Sequence, residues 1–170
     1  MAEERVEPWL RGTLGDVDAM RRAVLHAFEL AAEDVARWCD GMNGEEMEAR
    51  PPLGLPSVGF QLRHIARSLD RLLTYADGQQ LTARQLKLLK TEEEFVDREA
   101  TLMEFAEAIE ISTKRVLAFS EKSYDQTRLV GRKKLPTSVG GLLVHCADHT
   151  QRHVGQAITT AKVVMAMRGK

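Results

Sequence analysis

The sequence predicts an all-α protein, a four-helix bundle with long connections. Three observations carry this expectation. Apolar residues recur every three or four positions over four stretches, proline and glycine clusters separate those stretches, and few segments alternate in the manner of strands. At 170 residues, with 44% hydrophobic and 29% charged side chains, the chain has the balance of a folded protein. Its size suits one domain spanning residues 1–170.

The first helix is expected from Asp16 to Asp40. Val17, Met20, Val24, Phe28, Ala31, Val35 and Trp38 fall on one stripe. Asp16 is the expected N-cap, and Gly41 stands where a helix C-terminus favours positive φ. Residues 44–56, with three prolines, read as a connection. Ser57 opens a second helix to about Tyr75, with Leu62, Ile65, Leu69, Leu72 and Leu73 on its apolar face and Asp77-Gly78 at its end. Thr82 to Lys90 has room for a short helix, and Thr91 to Ala100 leads into a third long helix over about Leu102 to Phe119. The basic stretch Arg128 to Lys134, between Gly131 and Pro136, reads as a loop. A last helix begins near Thr137 or Ser138 and runs to about Met165.

An internal echo relates two of these helices. Leu55-Pro56-Ser57-Val58-Gly59 leads to Leu62 and His64; Leu135-Pro136-Thr137-Ser138-Val139-Gly140 leads to Leu143 and His145. In both copies a proline stops the incoming chain, a serine caps, and a histidine follows about two turns later. One explanation is a helix-start grammar used twice; the other is two helix pairs related by a pseudo-twofold axis.

Charge narrows the function classes. Lys and Arg number 24 against 25 for Asp and Glu, a formal net charge of -1. A nucleic-acid binder draws its affinity from neutralised phosphates and needs a basic excess, so nucleic acid is not an expected partner. No apolar run reaches the ~18–20 residues of a membrane span. The acidic start Met1-Ala2-Glu3-Glu4-Arg5 has no apolar signal core after it, and two cysteines make no disulfide framework. A cytoplasmic chain with Cys39 and Cys146 reduced is expected.

The histidines carry the chemistry. His145, His149 and His153 follow one another at i, i+4 spacing, which sets neighbouring Cβ atoms ~5–6 Å apart on one helix face. Three such residues drift around the helix by roughly 40° per step, so two of the three can converge on one ion while all three cannot easily do so. His64, on the facing helix, is the inward candidate for a third ligand. A lone inward histidine is ordinarily a satisfied core residue, and His26 is read that way. Two overlapping pairs with a further histidine on a matching helix start are harder to explain as core alone.

Taken with His64 on the second helix, the run His149-Thr150-Gln151-Arg152-His153-Val154-Gly155-Gln156 resembles the DinB-like metalloprotein family, whose signature is His-x-x-x-His-Arg-Gly-Gln late in a four-helix bundle. The likeness includes Pro8-Trp9-Leu10 and Ser57-Val58-Gly59 and covers most of the chain. Val154 stands where the family commonly has arginine. The resemblance implies that His64, His149 and His153 are the metal ligands, with water or substrate completing the sphere. It implies zinc or nickel most often, manganese or iron occasionally. His145 is then a supporting or packing residue, and Asp148 is placed to orient a neighbouring imidazole.

Three neutral imidazoles leave an open coordination position, the pattern of a reactive site. Relatives in that family include transferases and isomerases using low-molecular-weight thiols such as bacillithiol or mycothiol. A carboxylated thiol calls for nearby cations, and Arg67 and Arg71 stand at i+3 and i+7 from His64. The alternative for these arginines is surface pairing with acids such as Asp70 or Glu107. A metal-dependent thiol transferase is the leading expectation, followed by a metal-dependent hydrolase and then by a non-catalytic metal-binding or interaction bundle. Long apolar stripes and the resemblance suggest a homodimer.

Overall fold

A computed structural model describes residues 6–94 and 96–168, so the acidic start 1–5 lies outside the described residues. The chain is mainly helical, with α1 at Ala19–Cys39, α2 at Gly44–Glu48, α3 at Val58–Ala76, α4 at Ala83–Lys90, α5 at Arg98–Ala118 and α6 at Val139–Ala166. A two-stranded antiparallel hairpin, β1 at Thr127–Val130 and β2 at Leu135–Ser138, precedes α6. Among the described residues, no helix is long and apolar enough to cross a membrane.

Each long helix begins on a side-chain cap that satisfies N–H groups left free by the first turn. Asp18, not Asp16, caps α1 by accepting from the backbone N–H groups of Met20 and Arg21. Asp18 has further ties, to the Arg21 guanidinium and to the Tyr124 hydroxyl, that Asp16 does not show. Ser57 caps α3, Asp97 caps α5 and Ser138 caps α6. Gly41 does not take positive φ; among the helix C-termini it is Gly78, with φ of 79°, that turns the chain out after α3.

The four long helices pack around one core. α6 lies against α1 and α3, and α5 lies against α3 and α1. Phe28, Leu62, Ile65, Leu73, Leu143 and Ala161 are fully buried there. α3 and α6 run antiparallel: Gln61 meets Gln156 at one level and His64 meets His149 at the next. Cys146 is fully buried in this core, and burial pushes its thiol up to about 12.

Two segments differ from their sequence-based reading. Residues 44–56 contain α2, which begins in a reciprocal cap between Asn43 and Glu46 and positions Glu48. The stretch around 128–134 is not simply a loop, because its first residues pair with Leu135–Ser138. Strands of four residues, one holding a proline, give too short an alternation to stand out in a sequence. Gly131 and Lys134 both take positive φ at the turn.

The repeated helix start is realised twice, and both inner glycines are close-packed. A Cβ on Gly140 would lie 3.3 Å from Met20 and Tyr124 side-chain atoms; one on Gly59 would lie 2.1 Å from Glu48 Oε1 and 2.9 Å from Arg63 Nη1. Gly59 thus makes room for a buried ion pair, in which Arg63 Nη1 donates to Glu48 Oε1 at 2.6 Å and Nη2 donates to Oε2 at 3.1 Å. Arg63 is 0% exposed, so disrupting this pair strands a charge. Gly59→Ala is expected to lower stability by about 3 kcal/mol, measured by denaturant unfolding, whereas Gly155→Ala, with open space around it, should cause no comparable loss.

Candidate metal centre

His64 on α3 and His149 and His153 on α6 bring one ring nitrogen each to within 4.8 Å of one another. All three rings are half-buried. His64 Nε2 and His149 Nε2 are 3.2 Å apart, and the His153 ring centroid lies 4.4 Å from each of the other two. The antiparallel seam explains the selection. His149 and His153 are one turn apart on the α6 face that meets α3. His145, a turn earlier, lies where that face opens to solvent; its side chain is 45% exposed against 21% for His64. The matching helix starts therefore do not place the two repeat histidines in matching surroundings.

Two partners fix how the rings present themselves. His64 Nδ1 donates to Glu92 Oε2 at 2.7 Å, and His153 Nδ1 donates to Gln61 Oε1 at 2.6 Å. A carboxylate and an amide oxygen only accept, so the neutral form of each ring carries its proton on Nδ1 and offers an Nε2 lone pair to the shared space. Gln61 is fully buried and held in turn by its donation to Gln156 Oε1 at 3.0 Å. Phe60 stacks on His64 at 5.5 Å between centroids.

This donor set fits a divalent transition metal. Two nitrogens each ~2.0–2.1 Å from a tetrahedral ion lie roughly 3.3–3.4 Å apart, close to the His64–His149 separation. Burial first, then the neighbouring imidazoles and Arg152, pushes His149 down to about 4; burial, His64 and Arg152 do the same for His153, against smaller opposing contributions from Gln156 and Glu92. Both rings are thus neutral and ready to ligate at neutral pH.

Glu92 and Gln61 are the residues that sequence reasoning missed. Glu92 lies within the acidic run 92–94, which resembles a solvated linker, yet it is only 6% exposed. Burial works to raise its pKa, but hydrogen bonds from His64 and Arg71 together outweigh it and hold the carboxyl below its ordinary value. Gln61 stands three residues before His64 on the same helix face, which was the available signal. Asp148, expected to orient a neighbouring imidazole, instead accepts from Arg152 at 2.6 Å and lies 3.6 Å from the exposed His145.

The arginines on α3 form a row. Arg63 Nε donates to the Glu92 carbonyl, Arg67 Nη1 to the Leu88 carbonyl, and Arg71 Nη1 to Glu92 Oε1 at 2.7 Å. Arg67 also holds Glu104 at 2.7 Å, and Arg71 donates to Ser68 at 2.8 Å. The carboxylate partners of Arg63, Arg67 and Arg71 are Glu48, Glu104 and Glu92, while Asp70 pairs with Arg115. His26 is buried against Thr13, 3.0 Å away, as a core histidine.

The sequence model of the DinB superfamily matches residues 27–157. The chain belongs to the DinB superfamily. The match includes all three histidines, Glu92 and Gln61. No curated protein matches the chain.

Two outcomes follow for this DinB member. Glu92→Gln should weaken the binding of an added divalent transition metal by about 10–100-fold, read by competition with a chromogenic chelator, since carboxylate partners of ligating histidines have effects of that order. Metal-free protein should lose stability as pH falls from about 6.5 toward 4. In that window the unfolded histidines bind protons that folded His149 and His153 do not, so stability rises with pH. Thermal melts across pH should show a shallower slope for a His149→Asn, His153→Asn double variant.

Proposed function

We propose that the protein holds a divalent metal, zinc or nickel, on His64, His149 and His153, and acts as a metal-dependent transferase on a low-molecular-weight thiol. The observation that carries this reading is the pair of fixed tautomers: Glu92 and Gln61 hold the Nδ1 protons of His64 and His153, so both rings direct lone pairs toward His149. A closed structural site would recruit a fourth protein ligand; among the described residues the metal-competent group contains only these three.

A divalent ion held there supplies Lewis acidity, lowering the pKa of a thiol or water in the remaining position. The protein's own residues do the rest. Glu92 keeps His64 oriented and adds negative charge behind it, Gln61 does the same for His153 without charge, and the half-buried setting limits water. A cavity bordered by His64, His145 and His149 supplies access. Arg71 borders that cavity with its guanidinium already donating to Glu92 and Ser68; Arg67 borders a separate cavity between α3, α4 and α5. The packing of α1, α3, α5 and α6 around one core supports a four-helix bundle as the scaffold.

The test is metal content followed by turnover. Protein purified without added metal should carry about one zinc or nickel per chain, and a His64→Ala, His149→Ala, His153→Ala variant should carry none. The loaded protein should conjugate bacillithiol or mycothiol to a panel of electrophiles at a rate the variant lacks. Metal-dependent turnover that needs no thiol would replace the transferase with a hydrolase; bound metal with no turnover on either panel would leave only a metal-binding bundle.

A further inference from the structure

The cavity beside the histidines has a second character that metal ligation does not use. It is open on one side to solvent, spans about 300 Å³ and is bordered by Leu72, Leu81 and Leu89 together with Tyr75, Ser68 and Arg71. Ligand pockets span roughly 300–1,000 Å³, so this one suits a molecule about the size of a single substituted ring. Its leucines come from three places: α3, the segment before α4, and α4 itself. An apolar body is thereby held between the two elements that the arginine row fastens together.

The polar groups of the cavity are mostly committed. The guanidinium of Arg71 donates to Glu92 and to Ser68, so its charge is already balanced by a carboxylate at 2.7 Å. An anion lodged among the leucines would gain little from it and would lose its hydration. Tyr75 is different. The ring is largely buried, while its hydroxyl keeps some contact with solvent and makes no hydrogen bond to another described residue. A hydroxyl so placed is free to donate to a ligand that displaces the water against it.

We propose that this cavity binds the acceptor substrate, an uncharged molecule with a small apolar body and one acceptor oxygen such as a ketone carbonyl. Leu72, Leu81 and Leu89 hold the body, and the Tyr75 hydroxyl donates to the oxygen. The role as acceptor site rests on the transferase reading above, while the binding preference rests on the cavity alone. Tyr75 is then a specificity-determining residue that selects an oxygen-bearing ligand over a hydrocarbon of the same shape.

The experiment titrates three probes into the protein as purified and again after chelation, following backbone amide shifts. The probes are acetophenone, its oxygen-free counterpart ethylbenzene, and benzoate, which has a similar ring and a negative charge. Acetophenone is expected to shift residues around 68–75, 81 and 89 in both forms of the protein. In the chelated form, where no metal can capture a carboxylate, it should bind at least tenfold more tightly than benzoate. Tyr75→Phe should weaken acetophenone by roughly fivefold, the loss of one neutral hydrogen bond, and leave ethylbenzene unchanged. Leu89→Ser, at a 45% exposed position that tolerates the change, should weaken both. Benzoate binding the chelated protein as tightly as acetophenone, or an acetophenone affinity unmoved by Tyr75→Phe, would overturn the proposal. Failure of the metal reading would appear separately, as absence of metal in the purified protein, and would leave the chelated-form preference intact.

Discussion

The hydrogen bond from His64 to Glu92 is the contact on which the site depends. A carboxylate this deeply buried loses hydration, and the hydrogen bonds that His64 and Arg71 donate to it outweigh that loss and hold its pKa below the ordinary value. That arrangement settles the His64 tautomer, and the tautomer decides which nitrogen faces His149. The same bond ties a ring on α3 to a segment 28 residues downstream. Local chain geometry and site chemistry are therefore one problem here: residue 92 cannot move without changing what the histidines present.

The row of arginines on α3 shows how the segment is held. Arg63, Arg67 and Arg71 recur every four residues and reach the carbonyls or side chains of residues 88 to 92. Each guanidinium offers several donors in a fixed plane, so one side chain can satisfy a backbone carbonyl and a carboxylate together. Spacing from His64 suggests cations reserved for an anionic ligand. Their partners instead make them fasteners, with Arg71 alone also bordering the cavity beside the histidines. Charge that looks available in a sequence is balanced in the folded chain, and the cavity is correspondingly more apolar than a count of nearby arginines implies.

Much of the helical framework was legible because it follows local rules. Ser57, Thr82 and Ser138 cap where their helices were expected to start, and Gly78 ends α3. The apolar stripe of α3 marks its buried face through Leu62, Ile65, Leu69 and Leu73. The cap of α1 was misplaced by two residues because Asp16 and Asp18 are equally good candidates locally; Tyr124 and Arg21, which favour Asp18, come from other parts of the fold or face it only once the helix is formed. The hairpin escaped notice since four-residue strands leave little periodicity.

The sequence by itself determined that two helices would carry the candidate ligands and, through i, i+4 spacing, that two of the later three histidines would share a face. Spacing left open which two of the three meet His64; the family resemblance pointed to His149 and His153, and the antiparallel register of α3 on α6 is the physical reason, since it sets which turn lies opposite which. Tertiary structure alone decided the protonation pattern of the rings, since Glu92 and Gln61 reach them only through contacts distant in sequence or across the helix seam. Spacing along one helix is a local property of the chain; the partner of a ring nitrogen is a property of how helices are packed.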